Sequence, residues 1–336
     1  MDRATRRRGR CPGVPKRSRG FGAVVALVCV LFAMTGCGVG QGSAMVIGED
    51  DVIKVGVIPV ADFAPVYIAQ EEGYFAQEGL TVKTQVMQNA AAIAPSVING
   101  QLQFGTAALP PFLSAVHKGL PLMAVANGTS VVADPAKDPS AIVAGKDRGI
   151  ARPKDLEGHT VAVNALGSVV HVAAAAAVSK DGGDPSKVTF VAMPFPDMIA
   201  ALTRGSIDAA SLVEPFQAQA VAAGGTVVAH PYSQALPEGT FTVIFTAGPF
   251  AEKNPATVAK FKNALDRASR LAAADPSKVG TVLAKYGKLP PQVFAKIRVP
   301  QYTDTLSLPA IESTAELMER LKFLPGPVTM EGAIWK

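Results

Sequence analysis

The sequence predicts an α/β protein built from mainly parallel sheets flanked by helices, and three observations carry that expectation. From Val52 onward, short apolar runs alternate with helical segments of about ten residues, as in a sheet covered on both faces. The alternation breaks twice at stretches rich in Pro, Gly and Asp, so the chain leaves one α/β unit, builds a second and returns to the first. The first fifty residues show no such pattern and read as an export segment with a tether.

The elements follow in order. Val52–Ile58 reads as a buried strand ended by Pro59, and Pro65–Glu72 as a helix with proline in its first turn, stopped by Gly73. Leu80–Met87 alternates as a strand. Ala90–Asn99 is helical, with Gly100 where a C-cap favours glycine. Phe104–Ala107 is a strand, Leu109–Lys118 a helix ended by Gly119, and Leu122–Ala126 another strand. After an irregular stretch at 127–140, a strand is expected at Ala141–Ala144, and the first crossing between lobes near Gly145–Pro153. The second unit has strands at Thr160–Val163, Val188–Ala192 and Ala209–Val213. Helices are expected at Val169–Lys180, between Asp197 and Gly205, and from Pro215 to Ala223. The return crossing is expected within 230–239, and Phe241–Thr246 should rejoin the first sheet. Pro255–Ala274 is the clearest helix: Val258, Phe261, Leu265, Ala268 and Leu271 fall on one face. Pro276–Tyr286 and Pro309–Leu324 complete a helical C-terminal third. The expected layout is a signal at 1–36, a tether at 37–51, a first lobe at 52–145, a second at 146–239, and a return with C-terminal helices at 240–336.

Charge and cysteine usage belong mostly to the export segment. Residues 1–20 hold eight basic residues and one acid, followed by an uncharged apolar run from Phe21 to Met34. That run is shorter than the ~20 residues a membrane-spanning helix needs. The chain has 32 basic and 27 acidic residues, a net of +5; without the eight basic residues and Asp2 there remain 24 and 26, a net of −2. The basic balance therefore gives no argument for a nucleic-acid partner. Of the three cysteines, Cys11 and Cys29 lie in the signal, so Cys37 alone would remain and no internal disulfide is expected. Met34-Thr35-Gly36-Cys37 resembles a bacterial lipobox, with methionine where leucine is usual. The resemblance implies lipidation at Cys37 and anchoring at the outer face of the cell membrane; the other reading is a plain cut near Gly36. Arg6-Arg7-Arg8 leaves general secretion and twin-arginine export both open.

Two ordered sets of residues carry a family resemblance. The first is Lys54-Val55-Gly56-Val57-Ile58-Pro59, then Asp62-Phe63-Ala64-Pro65-Val66-Tyr67-Ile68-Ala69, Gly73-Tyr74-Phe75 and Glu78-Gly79-Leu80-Thr81-Val82. The second is Asp155-Leu156-Glu157-Gly158, leading to Ala201–Ala210 and Glu214-Pro215-Phe216. Together they resemble the solute-binding proteins of ABC importers for nitrate, sulfonates, taurine and thiamine pyrimidine precursors, over roughly residues 52–275. The resemblance implies the two-lobe, type II periplasmic-binding-protein fold with two hinge strands. It also implies a monomer that captures a small-molecule solute in the cleft and delivers it to a permease with its ATPase, without cofactor or catalysis.

Ligands of such folds lie at the carboxyl ends of strands and the starts of helices. In the first lobe this singles out Asp62, Phe63 and Tyr67, then Asn89 and Ala90, then Thr106, Ala107 and Ala108. In the second it singles out Asn164, Gly167 and Ser168, then Met193 and Phe195, then Glu214. Structural roles stand beside these. Tyr67 and Phe63 are also placed to pack the first helix, Asp62 to cap it, Ser168 to cap the next lobe's helix, and Glu214 to brace the hinge. Gly167-Ser168-Val169-Val170-His171 resembles the Gly-Ser-x-x-His of sulfonate binders, yet His171 also suits a packed, hydrogen-bonded position. The ligand's charge stays open: helix starts favour an anion, whereas Asp62 and Glu214 would repel one and no arginine occupies a candidate strand end. Relatives with this fold include enzymes of thiamine-pyrimidine and menaquinone synthesis, but the chain's four histidines are scattered and no cysteine remains for catalysis. A binding module serving a sensor is the third possibility.

Overall fold

The central apolar runs of four to six residues become strands buried on both faces, where neither face needs polar residues. The computed structural model describes Val46, Gly48, residues 51–288, Val293 and residues 296–336. The expected export segment, Cys37 and most of the tether lie outside the described residues.

The first lobe contains β1 (Val52–Val57), β2 (Thr81–Val86), β3 (Phe104–Ala108), β4 (Leu122–Asn127) and β12 (Thr242–Ala247), in the order β2-β1-β3-β12-β4. β1 runs parallel to β2 and β3, while β12 runs antiparallel to both of its neighbours. Helices α1 (Ala64–Glu71), α2 (Tyr74–Gln77), α3 (Ala90–Ile98) and α4 (Leu109–His117) connect these strands. The long helix α10 (Pro255–Ala274) buries Val258, Phe261, Leu265 and Ala268. Phe261 stacks on Phe104 of β3 with ring centroids 3.8 Å apart and on Phe75 of α2 at 5.0 Å. Close approach is built into β3: a Cβ on Gly105 would lie 2.3 Å from a methyl of Ile93, so α3 packs at that distance only over glycine.

The second lobe contains β6 (Ser140–Ala144), β7 (Thr160–Val163), β8 (Thr189–Ala192), β9 (Ala209–Val213) and β10 (Thr226–Ala229), in the order β10-β6-β9-β7-β8. Its helices include α5 (Val169–Lys180), α6 (Phe195–Arg204), α7 (Phe216–Ala222) and α8 (Pro231–Ala235). β7 is parallel to β8 and β9, and β6 is antiparallel to β9 and β10. In each sheet the strand that enters after a crossing is the one that runs against its neighbours.

The crossings differ in part from expectation. Ala141–Ala144, expected to precede the first crossing, lies in the second sheet as part of β6. The chain therefore changes lobes before Ser140 and not at Gly145–Pro153. It does so through β5 (Ser130–Val131), which pairs antiparallel with β11 (Gly239–Thr240) on the way back. The two strands form a separate two-stranded ribbon between the sheets. The amide of Ser130 also donates to the Gln301 carbonyl (2.9 Å), so a third segment runs beside the ribbon. After α9 (Gly248–Lys253) and α11 (Pro276–Tyr286), the last helix spans Leu308–Arg320. The C-terminal tail then covers the free edge of β4: Ala124 donates to Ala333 (2.8 Å), and Trp335 donates back to Ala124 (2.9 Å).

Candidate functional site

A cavity of about 580 Å³ lies between the two sheets. That is within the range of small-molecule sites, ~300–1,000 Å³. From the first lobe it takes the turn after β1, the first turn of α3 and one face of α4. From the second it takes the β7–α5 turn, the start of α6 and the end of β9.

Of the residues expected to form the site, Asp62, Phe63, Asn89, Ala90, Ala108, Asn164, Gly167, Ser168 and Phe195 line this cavity. Tyr67, Thr106, Ala107, Met193 and Glu214 do not. Tyr67 is fully buried and stacks on Tyr286, centroids 4.2 Å apart. Thr106 faces the neighbouring strand: its hydroxyl donates to the Gly56 carbonyl (3.2 Å) and accepts from the Ile58 amide (3.4 Å). Ala107 is buried within β3, and Met193 packs partly buried against the core. Glu214 is wholly buried beside the cleft: its carboxylate accepts from Gln217 Nε2 (2.9 Å) and the backbone amides of Arg298 (3.0 Å) and Ala218 (3.3 Å). Burial nonetheless pushes its carboxyl up to about 7.

Asp62 does not cap α1. Phe63 holds the N-cap position, and no side chain caps that helix. Asp62 Oδ1 instead accepts from the Thr129 hydroxyl (3.3 Å), which pairs in turn with Thr242 (2.9 Å). Only 4% of Asp62 is exposed. Burial raises its carboxyl from the ordinary range to about 7, against the Thr129 hydrogen bond, and the charge of Asp138 adds to the rise.

Ser168 stands at the N-cap of α5, but its hydroxyl has no partner although the residue is 93% buried. The amide oxygen of Asn164, on the same turn, is likewise buried and unpartnered. Asn89 combines both expected roles, lining the cavity and accepting from Ala92 N (3.3 Å) as the N-cap of α3. His171 takes the packed position. Its Nδ1 accepts from the Gly167 amide (2.9 Å), its ring lies against Phe190 and Phe323, and burial lowers it to about 4. The ring is therefore neutral near pH 7, with its proton on Nε2.

The sequence reading missed three groups of cavity residues. Phe241 and Tyr232 meet near the hinge with centroids 4.4 Å apart. Pro111, Ser114 and Ala115 lie farther along α4. Phe323, Leu324 and Pro325 come from the segment after the last helix. The α4 residues follow from helical spacing once Ala108 is on the wall. The C-terminal trio carries no local signal, because about 260 residues separate it from Asp62.

Comparison with known proteins agrees with this architecture. The NMT1/THI5-like family profile matches residues 60–279. The taurine-binding periplasmic protein of Escherichia coli is 29% identical over 227 residues, covering 66% of this chain and 68% of that protein. The alkanesulfonate-binding protein of Xanthomonas axonopodis pv. citri, solved with MOPS bound, superposes with a TM-score of 0.73 at 19% identity, covering 86% of this chain and 99% of that one. The periplasmic nitrate-binding protein of Synechocystis gives 0.66 at 15% identity, covering 84% of each chain. These two structures share the two-lobe fold.

Proposed function

The chain belongs to the NMT1/THI5-like family, and from that premise we propose that it is an extracytoplasmic solute-binding lipoprotein of an ABC importer. It captures a small organic molecule or an oxyanion, the solute classes carried in its relatives' names, by closing its lobes on it. The closed form then docks on a permease with its ATPase. Cys37 holds the protein at the outer face of the membrane through its acyl chains.

One observation carries this reading: a single cavity takes its walls from the strand ends and helix starts of both lobes, and a short two-stranded ribbon links those lobes. A ligand touching both walls favours the closed arrangement by its extra contacts there, which is how binding drives hinge closure. Two titratable groups near the cavity are tied up by the fold. His171, the histidine nearest the β7–α5 turn, is held neutral by burial and engaged by Gly167, and Glu214 is tied to backbone amides outside the cavity.

Small-angle scattering with and without a bound solute tests the proposal. Saturation should reduce the radius of gyration, and an unchanged envelope at saturation would count against capture by closure.

A further inference from the structure

The buried side-chain atoms left without partners in the cleft are oxygens. Asn164 Oδ1 and Ser168 Oγ are buried without partners, and Asp62 is a buried carboxyl with one long hydrogen bond, from Thr129 at 3.3 Å. All three line the cavity, and all three are oxygens. An unmet buried acceptor is costly until a donor reaches it. An oxyanion can accept from the Ser168 hydroxyl but meets only acceptors at Asn164 Oδ1 and Asp62, whereas an N–H group suits all three oxygens.

Some of the helix starts that could serve an anion are closed. At the start of α4, Leu109 N already donates to the Phe241 carbonyl (2.9 Å), and Pro110 and Pro111 have no N–H to offer. In α3 the Ala92 amide is engaged by Asn89. α6 opens with Pro194-Phe195-Pro196 and carries Asp197 in its first turn. Open first-turn donors remain on α5, beside the unpartnered Ser168 and Asn164, and on α3 at Ala90 and Ala91. The cationic side chains do not make up the difference. Among the described residues no arginine lines the cavity; Lys118 and His117 do, but at the far end of α4 from Ala108. That is about 13 Å along a nine-residue helix at 1.5 Å per residue.

The rest of the wall is mostly apolar and includes Phe63, Ala90, Ala94, Phe195 and Phe241. A volume of 580 Å³ holds about twenty waters at ~30 Å³ each. Nitrate or a two-carbon sulfonate would leave most of that wall uncovered.

We propose that the cleft is built for an organic cation, a molecule with a bulky apolar body and one amine-type N–H group directed at Asp62, and that it discriminates against oxyanions. The inference rests on the solute-capture reading above. The amine donates to Asp62 and forms a buried ion pair with it, the body covers the phenylalanines, and a further donor on the molecule reaches Ser168 or Asn164.

Calorimetric titration and thermal shift of the purified protein test it with a matched series: tryptamine, its neutral analogue tryptophol and its anionic analogue indole-3-acetate, alongside taurine, hexanesulfonate and nitrate. Tryptamine should bind tightest of the indoles. Asp62→Asn should weaken tryptamine by about tenfold or more, the scale of a hydrogen bond to a charged group, while changing tryptophol by about twofold at most. Ser168→Ala, which removes no fold contact, should weaken tryptamine several-fold with an unchanged melting temperature. If taurine, hexanesulfonate or nitrate binds tighter than tryptamine, the cation assignment fails and solute capture stands. Absence of binding across the whole series at millimolar concentration counts against both. Equal tryptamine affinity in wild type and Asp62→Asn also overturns the assignment.

Discussion

The amide of Ala61 donates a hydrogen bond to the backbone carbonyl of Glu214 at 3.0 Å. Ala61 follows β1 of the first lobe, and Glu214 ends β9 of the second. The Glu214 carboxylate extends the tie by accepting from Arg298 N (3.0 Å) in the C-terminal segment. One residue of the second lobe is thus joined to two separate segments outside it, at the back of the cleft. Removing the side chain in Glu214→Ala strands the Arg298 and Ala218 amides and should cost about 1–3 kcal/mol in urea denaturation.

Stability should fall as pH rises from about 4 to 7. Burial raises both Asp62 and Glu214 to about 7 in the folded state, while in the unfolded chain they titrate near their ordinary values of 3.8 and 4.5. Between those limits the folded state binds more protons, so raising pH favours unfolding. His171 acts in the opposite sense, since its folded value of about 4 lies below the ordinary 6.5 and its contribution is lost as pH falls. Paired denaturation curves at pH 4.5 and 7.5 separate the two. The double variant Asp62→Asn, Glu214→Gln should lose the decline seen toward pH 7.5 and keep the histidine-driven loss at low pH.

Phe323, which lines the cavity, lies edge-on to His171 with ring centroids 4.8 Å apart and so links the C-terminal segment to α5. The Pro327 carbonyl, four residues on, lies 3.3 Å from His117 Nδ1 of α4. Phe323→Ala should loosen this contact, enlarging the radius of gyration of the unliganded protein with only a small change in melting temperature. An unaltered radius would show that the segment does not hold the lobes together.

Gly105→Ala should destabilise the first lobe by about 1–3 kcal/mol, the range for overpacking. The added methyl would meet Ile93 at 2.3 Å and Phe245 at 2.8 Å. Equilibrium unfolding in urea measures this, and a neutral result would mean that α3 shifts freely on its sheet.

Cys37→Ala should move the protein from the membrane fraction to the soluble one in cell fractionation. Retention in the membrane would refute lipid anchoring.

The amino-acid sequence alone determined the local layer of this protein. Periods of 2 and 3.6 residues, prolines at helix starts and glycines at helix ends mark most strands and helices, because those signals act within a few residues of each other. The same logic brought Asp62, Asn89, Ser168 and Phe195 to one cavity, since strand ends and helix starts share one edge of each sheet. Tertiary structure decided pairings between distant segments. Ala141–Ala144 is uniformly apolar, so nothing in it marks which sheet it joins; β9 and β10 on either side settle that. Tyr67 sits where a ligand contact was expected, but Tyr286 stacks on it from 219 residues away. Glu214 turned from the cleft to the hinge because the Arg298 amide lies within reach there. Each of these outcomes depends on which faraway chain arrives to cover an apolar face or meet a buried polar atom, and no local pattern encodes that arrival.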